Sequence, residues 1–270
     1  MSSQASNSQD GGATLDGVWA KLARAEEHLI TLADEIKAFI TRDPQPFGLS
    51  VPQFDPVTGW YIVYAIVDEE PPERLGVILG DVLHNTRSAL DHLVWQLVIL
   101  NGGTPKGGAG GNAFPIARSE NAWRAAQERQ LAGAAETHRK IIEKAQPFNV
   151  DHPDRSPLAW LQFLSNTDKH QIVHPIAGIV HDDPIGKVSF QVTQGPGQVV
   201  REQWQREWFS HGAELLRCKV EPMTPDTKVE MIGDVELRLA FSRVRENLPK
   251  LLIALVKSLA EDFHPAFAAG

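Results

Sequence analysis

The sequence predicts an α+β protein, a helical bundle built around one long central helix and packed with an antiparallel β-sheet. Three observations lead there. Apolar residues recur at alternating three-and-four spacing in several stretches of the first 171 positions, the period of an amphipathic helix. Residues 172–241 change to short strand-like runs broken by Gly, Pro and Asp. From Ser242 the helical spacing returns and continues to about 266.

A chain of 270 residues is long enough for one large domain or two. Hydrophobic residues at 42% and charged residues at 22% are ordinary for a globular protein. The formal net charge of −8 argues against a general nucleic-acid coat or a membrane-surface binder. Cys218 is the sole cysteine, so no intrachain disulfide can form, which fits a reducing cytosol. Residues 1–12 are polar, lack the basic start and apolar core of a signal peptide, and are expected to be a disordered tail. The most apolar runs, Leu251–Val256 and Leu93–Leu100, fall well short of the ~20 residues that span a bilayer. The expectation is a soluble cytoplasmic protein with no membrane partner.

In chain order, a first helix is expected from Leu15 to about Thr41, its apolar stripe running through Val18, Leu22, Ala25, Leu29, Leu32, Ile36 and Ile40. It should end before Asp43-Pro44, because a residue preceding proline disfavours the helical region. Val51–Phe54 and Trp60–Val67 flank a Pro- and Gly-containing turn and predict a hairpin able to extend the sheet. The long helix opens at Pro71-Pro72-Glu73 and closes at Gly102-Gly103. Within it, Gly76 and Gly80 would let a neighbouring element approach closely.

The glycine-rich run 102–111 follows a helix and lacks the GxxxxGK[ST] arrangement, so a flexible surface loop is expected rather than a phosphate cradle. Ser119 caps a helix over 120–130, a second follows over 132–144, and Ser156-Pro157 starts a third that enters the polar run 165–171. Strand runs lie at 172–180, 187–193, 214–220 and 228–241. Ser242 caps the last helix, where Pro249 requires a kink or a late start. The expected organisation is a tail at 1–12, a bundle with its hairpin at 13–171, a β region at 172–241, and a terminal helix at 242–266 returning to the bundle.

The long helix carries the chemistry. On a helical wheel Val82, Leu83, Leu90, Leu93, Val94 and Leu97 share an apolar arc. Asp81, His84, Ser88, Asp91, His92 and Trp95 crowd the opposite side, with Arg87 at the junction. A solvated face more usually shows Lys and Glu pairs four apart. This one is rich in His and Asp and should meet another surface.

The strings GDVLHNTRSALDHLVWQL and LSNTDKH resemble those of a widespread family of uncharacterised bacterial proteins of about this length. That resemblance implies an organisation rather than an activity. The segment Arg87-Ser88-Ala89-Leu90-Asp91-His92 is also similar to the Arg-x4–6-His motif of the HEPN superfamily, many of whose members are metal-independent ribonucleases. By that similarity Arg87 would hold the scissile phosphate and His92 would transfer a proton at the ribose hydroxyl or leaving oxygen. A homodimer is a further expectation, because HEPN-like domains commonly pair through the motif helix and the face with Trp95 can be self-complementary. RNA is the partner on this reading.

The same residues also read as a structural network. If the Ser156 helix reaches Ile172, Asp168 shares a face with Leu161 and Leu164, and an inward carboxylate needs a partner from Arg87, His84 or His92. The supporting or structural set is then Asp81, His84, Asn85, Asp91, Asp168, Lys169 and His170. A third reading is a metal-binding bundle, since Asp81/His84, Glu261/His264 and His170/His174 each lie about one turn apart, with Glu26 partly inward. No residue is assigned as a metal ligand and no cofactor is expected. Cys218 is expected to be a buried inert thiol, and His138, His152 and His181 to be surface residues. The preferred function is a non-catalytic interaction or ligand-binding module, with the HEPN-like ribonuclease or RNA-binding protein as the alternative and the metal-binding bundle after it.

Overall fold

The computed structural model describes residues 12–108, 110–168, 175–179, 189–204, 211–233, 237–241 and 247–268. Among these, six α-helices accompany antiparallel strands, so the protein is α+β. The chain divides into two compact units. The first comprises Met1–Ile30, Ile78–Ile172 and Asn247–Gly270, and the second Thr31–Val77 and Val173–Glu246.

Helix α1 spans Asp16–Ile40, and Val18, Leu22 and Ala25 of the expected stripe are fully buried. Helix α2 spans Glu73–Leu100, about 42 Å of rod at 1.5 Å per residue. It ends because Gly102 takes φ +75°, letting the Gly102 and Gly103 N–H groups donate back to the Ile99 and Val98 carbonyls. Helix α3 spans Glu120–Gln130, and the Ser119 side chain accepts from the Ala122 N–H as expected of a cap.

The next helix, α4, is Glu136–Lys144 rather than 132–144. Gly133 sits at φ +87°, a left-handed turn that no continuous helix tolerates, and this delays the start. Helix α5 spans Pro157–Asp168 with Ser156 Oγ accepting from the Ala159 N–H at 3.2 Å. A continuation to Ile172 would lie outside the described residues. Helix α6 spans Leu248–Ala268, so Pro249 falls in its first turn and produces the late start. The expected Ser242 cap lies outside the described residues.

In the first unit α1 and α2 are tied by Thr14 N–H to Gln96 Oε1 at 3.0 Å and Lys21 Nζ to Asn85 Oδ1 at 3.4 Å. Lys257 of α6 donates to Glu26 of α1 at 2.6 Å, which occupies the partly inward glutamate. Leu83, Leu90, Leu93, Leu97, Leu161 and Phe263 form much of the buried core. The described residues of the glycine-rich run are mostly exposed, as expected of a surface loop. Beside it, Asn112 Oδ1 accepts from the Lys106 N–H at 2.8 Å, and Asn112 Nδ2 donates to the Gln130 and Ala132 carbonyls. His138 also differs, being half-buried with its ring 5.8 Å from Phe263 in an edge-on contact. Burial pulls the His138 imidazole below its ordinary range, because the charged form loses water.

In the second unit the hairpin does join strands of the later β region. Strands β1 (Phe47–Leu49) and β2 (Gln53–Asp55) both pair with β3 (Trp60–Val67). Strand β3 pairs with β7 (Glu214–Glu221), which pairs with β6 (Gln198–Trp204). Among the described residues, the strands of 172–241 fall into three sheets rather than one. Strand β4 (Pro175–Ile179) pairs with β9 (Leu237–Phe241), and β5 (Ser189–Gln194) with β8 (Lys228–Ile232), as two separate two-stranded sheets. The stretch 228–241 is divided as its glycine indicated, into strands at Lys228–Ile232 and Leu237–Phe241, with Gly233 at φ +98° after the first. Phe54, Tyr61, Cys218 and Glu202 occupy one row across the larger sheet. Tyr61 closes that row by donating its hydroxyl to the Thr227 carbonyl at 2.9 Å.

No helix among the described residues is long and apolar enough to cross a membrane. Cys218 is fully buried, and burial, with Glu202's charge adding to it, pushes its thiol up to about 12. A thiol-specific alkylating reagent at pH 8 will therefore leave the native protein unmodified, and denaturant will expose one reactive thiol. Rapid native labelling in a mass-spectrometric time course would contradict this burial.

Candidate functional site

The described part of the candidate site lies on the 81–95 stretch of α2, in the first unit. Helical geometry dictates which side chains can cooperate. Residues four apart are about 40° apart around the axis, whereas Arg87 and His92, five apart, are about 140° apart. Arg87 accordingly turns to Asp91: its Nη2 donates to Asp91 Oδ1 at 3.0 Å and to the Phe114 carbonyl at 2.6 Å. The same Asp91 oxygen accepts from the Phe114 N–H at 2.8 Å. Both backbone groups of a fully buried phenylalanine are thus held by one ion pair. The Arg87 side chain is only 21% exposed, so the pair sits partly out of water.

His92 goes elsewhere. It is exposed, and its Nδ1 lies 3.0 Å from the position a Cβ would occupy on Gly17 of α1. The structure does not bring Arg87 and His92 to one reacting point. Nor is Asp168 sealed against Arg87. Its carboxylate crosses α2 at Gly80, where an added Cβ would lie 2.8 Å from Asp168 Cγ. Gly80 is therefore the close-approach position that the sequence indicated.

Around that crossing the groups are Asp81, His84 and Asp168. Burial pushes the Asp168 carboxyl above its ordinary range, the nearby Asp81 charge adds to the rise, and His84 opposes it. His84 Nε2 stands 3.5 Å from Ser88 Oγ, at the outer limit of a hydrogen bond, so Ser88 is not set up as an activated nucleophile. Asn85 is buried and donates from Nδ2 to the Asp81 carbonyl at 2.9 Å, leaving Oδ1 to face Lys21. Lys169 and His170, the remaining members of the expected network, lie outside the described residues.

The expected network therefore separates into two groups among the described residues. Arg87 and Asp91 serve the Phe114 backbone, while Asp81 and His84 act on Asp168 beside Gly80, and Asn85 joins the Asp81 carbonyl to Lys21. Among the described residues no group of three His, Cys, Asp or Glu is placed to hold a metal ion. Glu261 and His264 are both exposed near the end of α6, and Glu26 is engaged by Lys257.

Sequence reasoning missed Lys21 and Phe114. The four-residue spacing of Arg87 and Asp91 was a visible signal for their pairing. The backbone they grip, 27 and 23 residues further on, left none. No family model, curated protein or solved structure matches the chain.

The Asp168 shift carries a pH dependence with a definite sign. A carboxyl whose folded pKa is raised supports folding fully below its ordinary value of 3.8, and that contribution is lost as pH rises through the raised value. Asp168→Asn removes this loss. Relative to the native chain the variant will gain stability near pH 7, and the gap will shrink as pH falls below the ordinary carboxylate range. Urea unfolding across pH 3 to 8 measures this; a gap independent of pH would show that ionising Asp168 costs nothing.

Proposed function

We propose that this chain acts as a non-catalytic interaction or ligand-binding module in which the Arg87–Asp91 pair is structural. One observation carries the reading. Arg87, the group that would hold a scissile phosphate, already commits its Nη2 to Asp91 and to the Phe114 carbonyl. A guanidinium anchored in this way takes its orientation from the Phe114 backbone rather than from charge that develops on a substrate. The divergence of His92 toward Gly17 supports the same conclusion, since a general acid or base must lie within hydrogen-bond reach of the group it serves.

The two side chains should respond differently to truncation. Arg87→Ala leaves Asp91 with one partner fewer and the Phe114 carbonyl without its donor, and is expected to destabilise by about 2 kcal/mol. His92→Ala removes an exposed ring and should stay within about 0.5 kcal/mol of the native chain. Chemical unfolding of both variants, together with incubation of the purified protein with single-stranded RNA with and without Mg2+, tests the proposal. RNA cleavage that both substitutions abolish in folded protein would sink it in favour of the HEPN-like ribonuclease.

A further inference from the structure

Away from α2, the first unit contains a cleft of about 790 Å³ between α3 and α4, closed at one end by the 147–149 turn. We propose that this cleft binds a small planar aromatic anion, an aryl ring carrying a carboxylate or a phosphate. The volume lies within the few hundred to about 1,000 Å³ typical of small-molecule sites.

The aromatic part of the ligand follows from Trp123 and Phe148, both lining residues, whose ring centroids are 6.4 Å apart and tilted by 46°. Trp123 is 2% exposed, so it forms wall rather than stacking platform, and the half-buried Phe148 ring is the one a ligand can meet. Trp123 also has an unspent polar atom: its buried indole Nε1 has no hydrogen-bond partner among the described residues. A buried indole N–H normally finds an acceptor, and leaving one without it is costly.

Charge selects the other end. Arg124, Lys140 and Lys144 line the cleft against two carboxylates, Glu120 and Glu143. Arg124 is held by Glu120 at 3.1 Å, and Lys140 reaches Glu136 at 3.9 Å. Lys144 lies four residues after Lys140 on the same face of α4, so their ammonium groups can converge on one anion. One excess positive charge in a chain of net −8 favours a singly or doubly charged small molecule. A polynucleotide would need a longer basic track to neutralise successive phosphates.

The inference rests on the binding reading above only in assigning the protein a ligand, and its test reads binding directly, independent of Arg87. Isothermal titration of the full chain would use two charged probes, indole-3-acetate and phenyl phosphate, with indole and acetate as the halves of the first and phenol and inorganic phosphate as those of the second. At least one charged probe should bind tenfold more tightly than either of its halves, and the preferred probe identifies carboxylate or phosphate as the anion. Phe148→Ala should weaken that binding at least fivefold. The surface double variant Lys140→Ala/Lys144→Ala should do the same with an unchanged melting temperature, which separates lost contacts from lost fold. The proposal is overturned if neither charged probe outbinds its halves, or if the double variant binds as the native chain does.

Discussion

The structure around α2 depends on the need of one buried peptide unit for partners. Phe114 is fully buried in a stretch without regular secondary structure, so neither its N–H nor its carbonyl has a helix or strand partner, and water cannot serve them. Asp91 and Arg87 supply an acceptor and a donor from successive turns of one helix face. The same solution recurs nearby. Asn101 donates to the Gly133 carbonyl, Asn112 joins Lys106 to Gln130 and Ala132, and buried Gln146 accepts from the Ala117 N–H while donating to Ile142. Side chains thus serve backbone groups in the irregular stretches between helices over residues 101–146.

A second constraint acts where helices meet α2. Polar side chains cross it, or are crossed by it, at glycines: Asp168 at Gly80 and His92 at Gly17. A missing Cβ lets a charged or polar group lie against backbone, and the environment then acts on its ionisation. Asp168 shows the result, with burial and the Asp81 charge both raising its carboxyl and only His84 acting against them. Such a group can be held for packing at some cost in stability, so a shifted carboxyl is not by itself a catalytic one.

Much of the architecture was legible because period and punctuation agree. The three-and-four spacing of Val18, Leu22 and Ala25, the Ser119 and Ser156 caps, and the Gly102 termination all operate within a few residues, where sequence and structure are directly coupled. What stayed hidden depends on distant partners. Strand β6 was overlooked because its exposed Val200 and polar neighbours give no inward alternation, as suits a strand whose large-sheet pairing is on one side only. His138 looked like a surface residue because Phe263, 125 positions away, supplies its burial. The cleft escaped notice for a similar reason. Trp123 and Gln127 are one turn apart on α3, and Lys140 and Lys144 one turn apart on α4; each pair alone resembles an ordinary helix face, and only the tertiary arrangement makes them opposite walls.

The candidate motif illustrates how a spacing acquires chemistry. Arg87 stands in two relationships along α2, four residues from Asp91 and five from His92. The first places opposite charges on one face within salt-bridge reach; the second rotates the imidazole well over 90° away. Once Phe114 needs both a donor and an acceptor, the four-residue pair meets that need with only side-chain ordering as its cost, since the helix has already fixed the backbone. Turning the Arg87 Nη2 to a phosphate would break those bonds and leave a buried carbonyl without its donor. The local arrangement of α2 therefore favours the structural use of Arg87, and the binding chemistry of the first unit is better sought where polar groups face open space, along the α3–α4 cleft.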